Sequence, residues 1–119
     1  MSKDVRRTTV PEELNMSVTF RHTESTEALK RYATEKVAQR VQKYVHAPAD
    51  VQIILEVKKL DHIAEVHINC RGVRNTAKAV TGNLYSAIDK LVDTLETQLR
   101  RQKDRMVSQR HQVVEELAF

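Results

Sequence analysis

The sequence predicts an α+β fold, a two-layer sandwich of order β-α-β-β-β-α in which a four-stranded sheet carries two helices on one face. Three observations predict it. Four short segments alternate apolar and polar residues with a period of two, and two longer segments repeat their apolar residues every three or four positions. Only two glycines and two prolines interrupt 119 residues, so long elements should dominate. The chain has the length of one domain, and its 40% hydrophobic content is enough for one modest core.

Residues 1–15 are polar, net neutral and broken by Pro11, with neither period, and are expected to form a flexible arm. From Met16 to Arg21, Met16, Val18 and Phe20 alternate with Ser17, Thr19 and Arg21, which predicts a half-buried strand. The period then changes: Leu29, Ala33, Val37, Val41 and Tyr44 define one face of a helix. Thr26 or Ser25 serves as its N-cap, Glu27 suits the positive end of its dipole, and His46, Ala47 and Pro48 end it.

DVQIILEVKK and IAEVHINC predict a hairpin, with Val51, Ile53, Leu55 and Val57 on one face of the first strand and Ala64, Val66, Ile68 and Cys70 on one face of the second. Arg71 and Gly72 form the next turn, and Val73, Asn75, Ala77 and Ala79 continue the alternation as a weaker fourth strand. Leu84, Ile88, Leu91, Val92, Leu95, Leu99 and Met106 then mark a long helix with Asn83 as N-cap and a short continuation past Met106. A right-handed crossover places the first strand parallel to the second, and the last three form an antiparallel meander. The expected divisions are an arm over 1–15, the folded domain over 16–107 and a tail over 108–119.

Charge is distributed unevenly. Gln98 to Arg110 holds five basic residues and one acid, so this stretch accounts for the whole chain's net charge of +4. A basic end on a neutral body points to a polyanion, with nucleic acid the first candidate. Helical geometry sets Lys90, Arg100, Arg101 and Arg105 opposite the apolar face of the second helix. On the first helix Lys36, Arg40 and Lys43 form a basic stripe along one edge of the apolar face, the Arg40 stem packing while its head reaches water. Side by side, the two stripes are expected to border a groove suited to a phosphate backbone. A solvated helix face is the plainer explanation of either stripe alone. Two stripes plus a local charge excess favour a binding surface.

Aromatics make up 4% of the chain, Trp is absent, and Phe20 and Tyr44 fall on core positions. Base stacking on a sheet platform is therefore not expected, and recognition should rest on phosphates and shape. The outward sheet face, with Gln52, Glu56, Lys58, Glu65, His67, Arg71, Arg74 and Lys78, mixes signs and reads as solvated surface.

Catalytic and metal chemistry is not predicted. His67 and Cys70 are three apart on a strand and point to opposite faces, and the other histidines are scattered. Cys70 lies on the apolar alternation as a buried thiol, and Asp89, Asp93 and Glu96 are expected to pair along their own helix with Lys90 and Arg100. No Gly-rich phosphate loop is present. The reading is of a non-enzyme without cofactor, metal or small-molecule substrate. No apolar run approaches the roughly 20 residues of a membrane span, MSKDVRRTTVPEEL lacks a signal-peptide core, and the single cysteine suits a reducing compartment, so the expected location is the cytoplasm without membrane contact.

FRHTESTEALKRYATEKV, the strand pair VQIILEVKK and EVHINC, and LYSAIDKLVDTLETQLRRQKDR together resemble the ribosome hibernation-promoting factor and ribosome-associated inhibitor family over about Met16 to Met106. The resemblance implies a domain shaped like double-stranded RNA-binding domains. It also implies binding to the small ribosomal subunit and intact ribosomes, in the mRNA channel and the A and P tRNA sites, with idle ribosomes preserved under stress or in stationary phase. By position it makes Lys30, Lys36, Lys90, Arg100, Arg101, Lys103 and Arg105 rRNA-binding residues, to which helical geometry adds Arg31, Arg40 and Lys43. The tail after Met106 lacks the second domain of the long form, so the likeness is to the short form, expected to be monomeric off the ribosome. The alternative reading is a general double-stranded RNA-binding module.

Overall fold

The computed structural model describes residues 14–117, with side chains through Asp104. The arm expected at the N-terminus lies almost wholly outside the described residues, as does the end of the tail. The elements are β1 (Leu14–Arg21), α1 (Glu27–Tyr44), β2 (Ala49–Lys58), β3 (Asp61–Cys70), β4 (Val73–Thr81) and α2 (Leu84–Leu117). The order β-α-β-β-β-α is the one the periodicities predict.

The sheet runs β1-β2-β3-β4, with β1 parallel to β2 and the remaining pairs antiparallel. β1 starts two residues before its alternation suggests, because Leu14 is buried and both Leu14 and Asn15 pair in register with Ala49 and Asp50. The helix of α2 continues well past Met106, over residues expected to form the tail; its 34 residues make it about 51 Å long.

Local chemistry sets the element ends. Thr26 caps α1, its Oγ1 accepting the Leu29 amide at 3.1 Å, and Asn83 caps α2, its Oδ1 accepting the Ser86 amide at 2.8 Å. Arg71 and Gly72 join β3 to β4 with φ of 54° and 82°, both in the region a type I′ hairpin turn requires. Glycine adopts the second of these without steric cost.

Only one face of the sheet is broadly apolar, and both helices cover it. Cross-strand rows such as Val18–Ile53–Val66–Ala77 and Phe20–Leu55–Ala64–Ala79 carry larger residues on β1 and β2 and end in alanine on β4. The helices compensate: α1 buries Ala33, Val37, Ala38 and Val41, whereas α2, against β3 and β4, buries Leu84, Ile88, Leu91, Leu95 and Leu99. Large sheet residues lie under the small-faced helix and small ones under the large-faced helix, which keeps the interface dense. Phe20 and Tyr44 are partly buried against this core, as is Cys70, whose thiol is half-buried where full burial is expected from its position. Ile54 is 6% exposed on the opposite face of the sheet, flanked in the ladder by Thr19 and Glu65.

Leu95 has no exposed surface and sits mid-helix over this interface. Leu95→Ala should cost about 2–5 kcal/mol, read from urea denaturation midpoints at constant m-value.

Candidate nucleic-acid interface

α1 and α2 run parallel and in contact. The side chains that join them are Tyr32, Arg40, Lys43 and Tyr44 on α1 and Tyr85, Asp89 and Glu96 on α2. At one end the Tyr32 hydroxyl donates to Asp89 Oδ1 at 2.5 Å, and the Tyr32 and Tyr85 rings meet edge to face, 5.0 Å between centroids and 69° between planes. The Lys36 ammonium lies 5.4 Å from the Tyr32 ring centre, within cation–π range.

At the other end Glu96 collects three partners from the last turns of α1. Arg40 Nε approaches Glu96 Oε1 at 2.8 Å as a charge contact, since its N–H makes no aligned hydrogen bond. Lys43 Nζ donates to Oε2 at 3.2 Å, and the Tyr44 hydroxyl donates to the same oxygen at 3.0 Å. Hydrogen bonds from Lys43 and Tyr44, then the charges of Lys43 and Arg40, hold the Glu96 carboxyl below its ordinary value. The hydrogen bond to Asp89 raises the Tyr32 phenol above its own, because ionising it would set two anions together.

This arrangement corrects two expectations. The space between the basic stripes is a filled seam, not an open groove, because the helices touch and Tyr32, Tyr85, Arg40, Lys43 and Glu96 occupy it. The acids of α2 do not find their partners along their own helix: Asp89 and Glu96 are bonded to residues of α1. Arg40 therefore turns its head to Glu96 instead of releasing it to water, with a quarter of its side chain exposed.

The candidate rRNA-binding residues divide accordingly. Lys36, Arg40 and Lys43 line the seam, Lys43 keeping 56% of its side chain exposed. Lys30, Arg31, Lys90, Arg100, Arg101 and Lys103 are exposed, and among the described residues none of them has a hydrogen-bond or ion-pair partner. Arg105 falls on α2, but its side chain lies outside the described residues.

Lys103 is seven residues beyond Glu96 on nearly the same side of α2, past the level where α1 ends at Tyr44. Arg100, Arg101 and Lys103 thus project from a length of helix that α1 does not cover. Opposite the helices, Asn15, Ser17, Asp50, Gln52, His67 and Arg74 surround a shallow depression of about 490 Å³ on the outward sheet face. Its polar lining carries both signs. Among the described residues no three His, Cys, Asp or Glu side chains are grouped to hold a metal, and no helix is long and apolar enough to cross a membrane.

The sequence reading missed Tyr32, Tyr85, Asp89 and Glu96 as a set. Each lies at a position where its helix turns toward the other, which becomes a signal only once the helices are known to be parallel and adjacent.

A family model described as "Sigma 54 modulation protein / S30EA ribosomal protein" matches residues 16–107. A protein of Salmonella typhimurium named ribosome hibernation promoting factor is 33% identical over 93 residues, covering 78% of this chain and 97% of its own length. The Escherichia coli K12 protein of the same name is 31% identical over the same shares. Among solved structures, the N-terminal domain of Thermus thermophilus Protein Y aligns with a TM-score of 0.65 and 27% identity, over 73% of this chain and 97% of that one. A ribosomal subunit interface protein from Coxiella burnetii aligns with a TM-score of 0.67 and 23% identity, over 76% and 98%, and shares the fold.

Glu96→Gln should lower the urea midpoint at pH 7. Because folding depresses the Glu96 pKa, its contribution is present above the unfolded value of 4.5 and is lost as pH falls through the folded value. The gap between parent and variant should therefore close on acidification below pH 4.5, measured by paired urea melts across that range.

Proposed function

Because the chain belongs to the Sigma 54 modulation protein / S30EA ribosomal protein family, we propose that it is a cytoplasmic ribosome-binding hibernation factor that inhibits translation by occlusion. It occupies the mRNA channel and the A and P tRNA sites of the small subunit and preserves idle ribosomes under stress or in stationary phase. Off the ribosome it is a monomer. The reading assigns it no catalytic step and no cofactor.

The observation that carries this reading is the set of free cations on the helical layer, in a chain that spans 97% of a relative named ribosome hibernation promoting factor. Among the described residues Lys30, Arg31, Lys90, Arg100, Arg101 and Lys103 have no carboxylate to neutralise them, so their charge is available to rRNA phosphates. Arg105 extends the same basic stretch in sequence. Arg40 and Lys43 hold the helices together through Glu96, Lys36 lies over the Tyr32 ring of its own helix, and Lys43 adds partly screened charge at the rim. Occlusion needs only shape and affinity: a bound domain excludes mRNA and tRNA from the volume it fills.

Co-sedimentation with small subunits or intact ribosomes should be strong at low salt and weaken as salt rises, log affinity falling by roughly 0.7–0.9 per neutralised phosphate per decade. Sedimentation of the free protein at low salt would sink the reading. Arg100→Glu with Arg101→Glu should reduce binding and lower the salt slope by about 2 while leaving the urea midpoint near that of the parent, since both side chains are exposed. A plain RNA duplex should compete poorly with ribosomes. Equal competition would favour the alternative, a general double-stranded RNA-binding module.

A further inference from the structure

Tyr85 is 44% exposed on the helical layer. Single exposed aromatics are ordinary, but this ring is braced. It meets Tyr32 edge to face at 5.0 Å, and Tyr32 is itself immobilised: its ring packs against the core, and its hydroxyl is bonded to Asp89. The outer part of the Tyr85 ring is thus presented to solvent from a rigid support, which reduces the entropy lost when something lies against it.

The surroundings indicate what that is. The Lys36 ammonium and the Asp89 carboxylate both adjoin Tyr32 and cancel in charge, so the spot attracts no polyanion by field alone; its contribution is a π face. The residue before Tyr32, Arg31, is exposed and, among the described residues, unpartnered, so it supplies a free cation from the same turn of α1. Among the described residues the other large exposed apolar ones, Leu60, Val73 and Val80, lie on the β2–β3 turn and on β4, so none of them forms a contiguous apolar patch of the kind a protein partner needs around Tyr85.

We propose that Tyr85, braced by Tyr32, is a stacking site for one unpaired nucleobase of RNA, with Arg31 as the cation for an adjoining phosphate. This rests on RNA being the partner, and it adds a base contact to an interface otherwise made of charge.

The test measures binding of the full chain to two labelled probes at low salt by fluorescence anisotropy. One is an unstructured RNA of about ten nucleotides; the other is an abasic chain with the same phosphates. The parent should prefer the base-bearing probe by about 5- to 150-fold, the range measured for aromatic stacking. Tyr85→Phe should keep the preference, and Tyr85→Ala should abolish it, with thermal melts confirming that both variants fold. Equal affinity of the parent for the two probes, or no binding of either, overturns the proposal. So does a preference that survives in Tyr85→Ala or disappears in Tyr85→Phe. Retention of the preference by a parent that fails to co-sediment with ribosomes would sink the ribosomal reading alone.

Discussion

Both helices are obliged to share one face of the sheet, because only that face is broadly apolar. β2 places Ala49, Val51, Ile53 and Leu55 on it, and β3 places Ala64, Val66 and Ile68. A helix on the opposite face would have to cover Asp50, Gln52, Glu56, Glu65 and His67, whose desolvation would cost more than the burial of Ile54 returns. The β1-α1-β2 crossover and the β4-α2 connection each turn the chain back over a strand of the same direction, since β1, β2 and β4 all run parallel. Two parallel helices in contact are the result.

Contact between parallel helices decides which charges remain available. In the seam a side chain of α1 meets one of α2 over the whole overlap, and a partly desolvated ion there needs a partner. Glu96 meets that need for Arg40 and Lys43, and Asp89 serves the Tyr32 hydroxyl. Among the described residues Lys30, Arg31, Lys90, Arg100, Arg101 and Lys103, away from the seam, face water and remain unpartnered. The difference in helix length sharpens the division, since α1 ends at Tyr44 while α2 continues past Glu96, and Arg100, Arg101 and Lys103 emerge where no second helix supplies acids. The basic surface is therefore partly a consequence of one helix outrunning the other.

The helical layer also carries two kinds of affinity. On the proposed reading, free Lys and Arg attract any polyanion and lose strength as salt rises, so they would place the protein on nucleic acid without reading it. A braced aromatic ring is insensitive to salt and demands an accessible base. A paired duplex cannot supply one, whereas a folded RNA with unpaired nucleotides can. Tyr32 and Tyr85 thus bear on selectivity in a way the charge count does not.

Element order, strand faces, both helix caps and the Arg71–Gly72 turn were all legible in the chain, because each rests on local periodicity or on backbone chemistry within a few residues. Lys90, Arg100 and Arg101 were legible as exposed for the same reason: a helix with one apolar face turns its opposite side to water. The early start of β1 was not legible, since Leu14 joins the strand only through its pairing with Ala49 across the sheet. Neither was the fate of Arg40, Lys43, Asp89 and Glu96. Fifty-three residues separate Lys43 from Glu96, and nothing local in the chain pairs them until two helices lie parallel and in contact. The sequence by itself determined which residues form the helices and which of them leave the core. Only the tertiary structure decided which cations are neutralised, because the pairing of charges depends on what the neighbouring helix brings within about 4 Å, and that neighbour is set by the sheet beneath both.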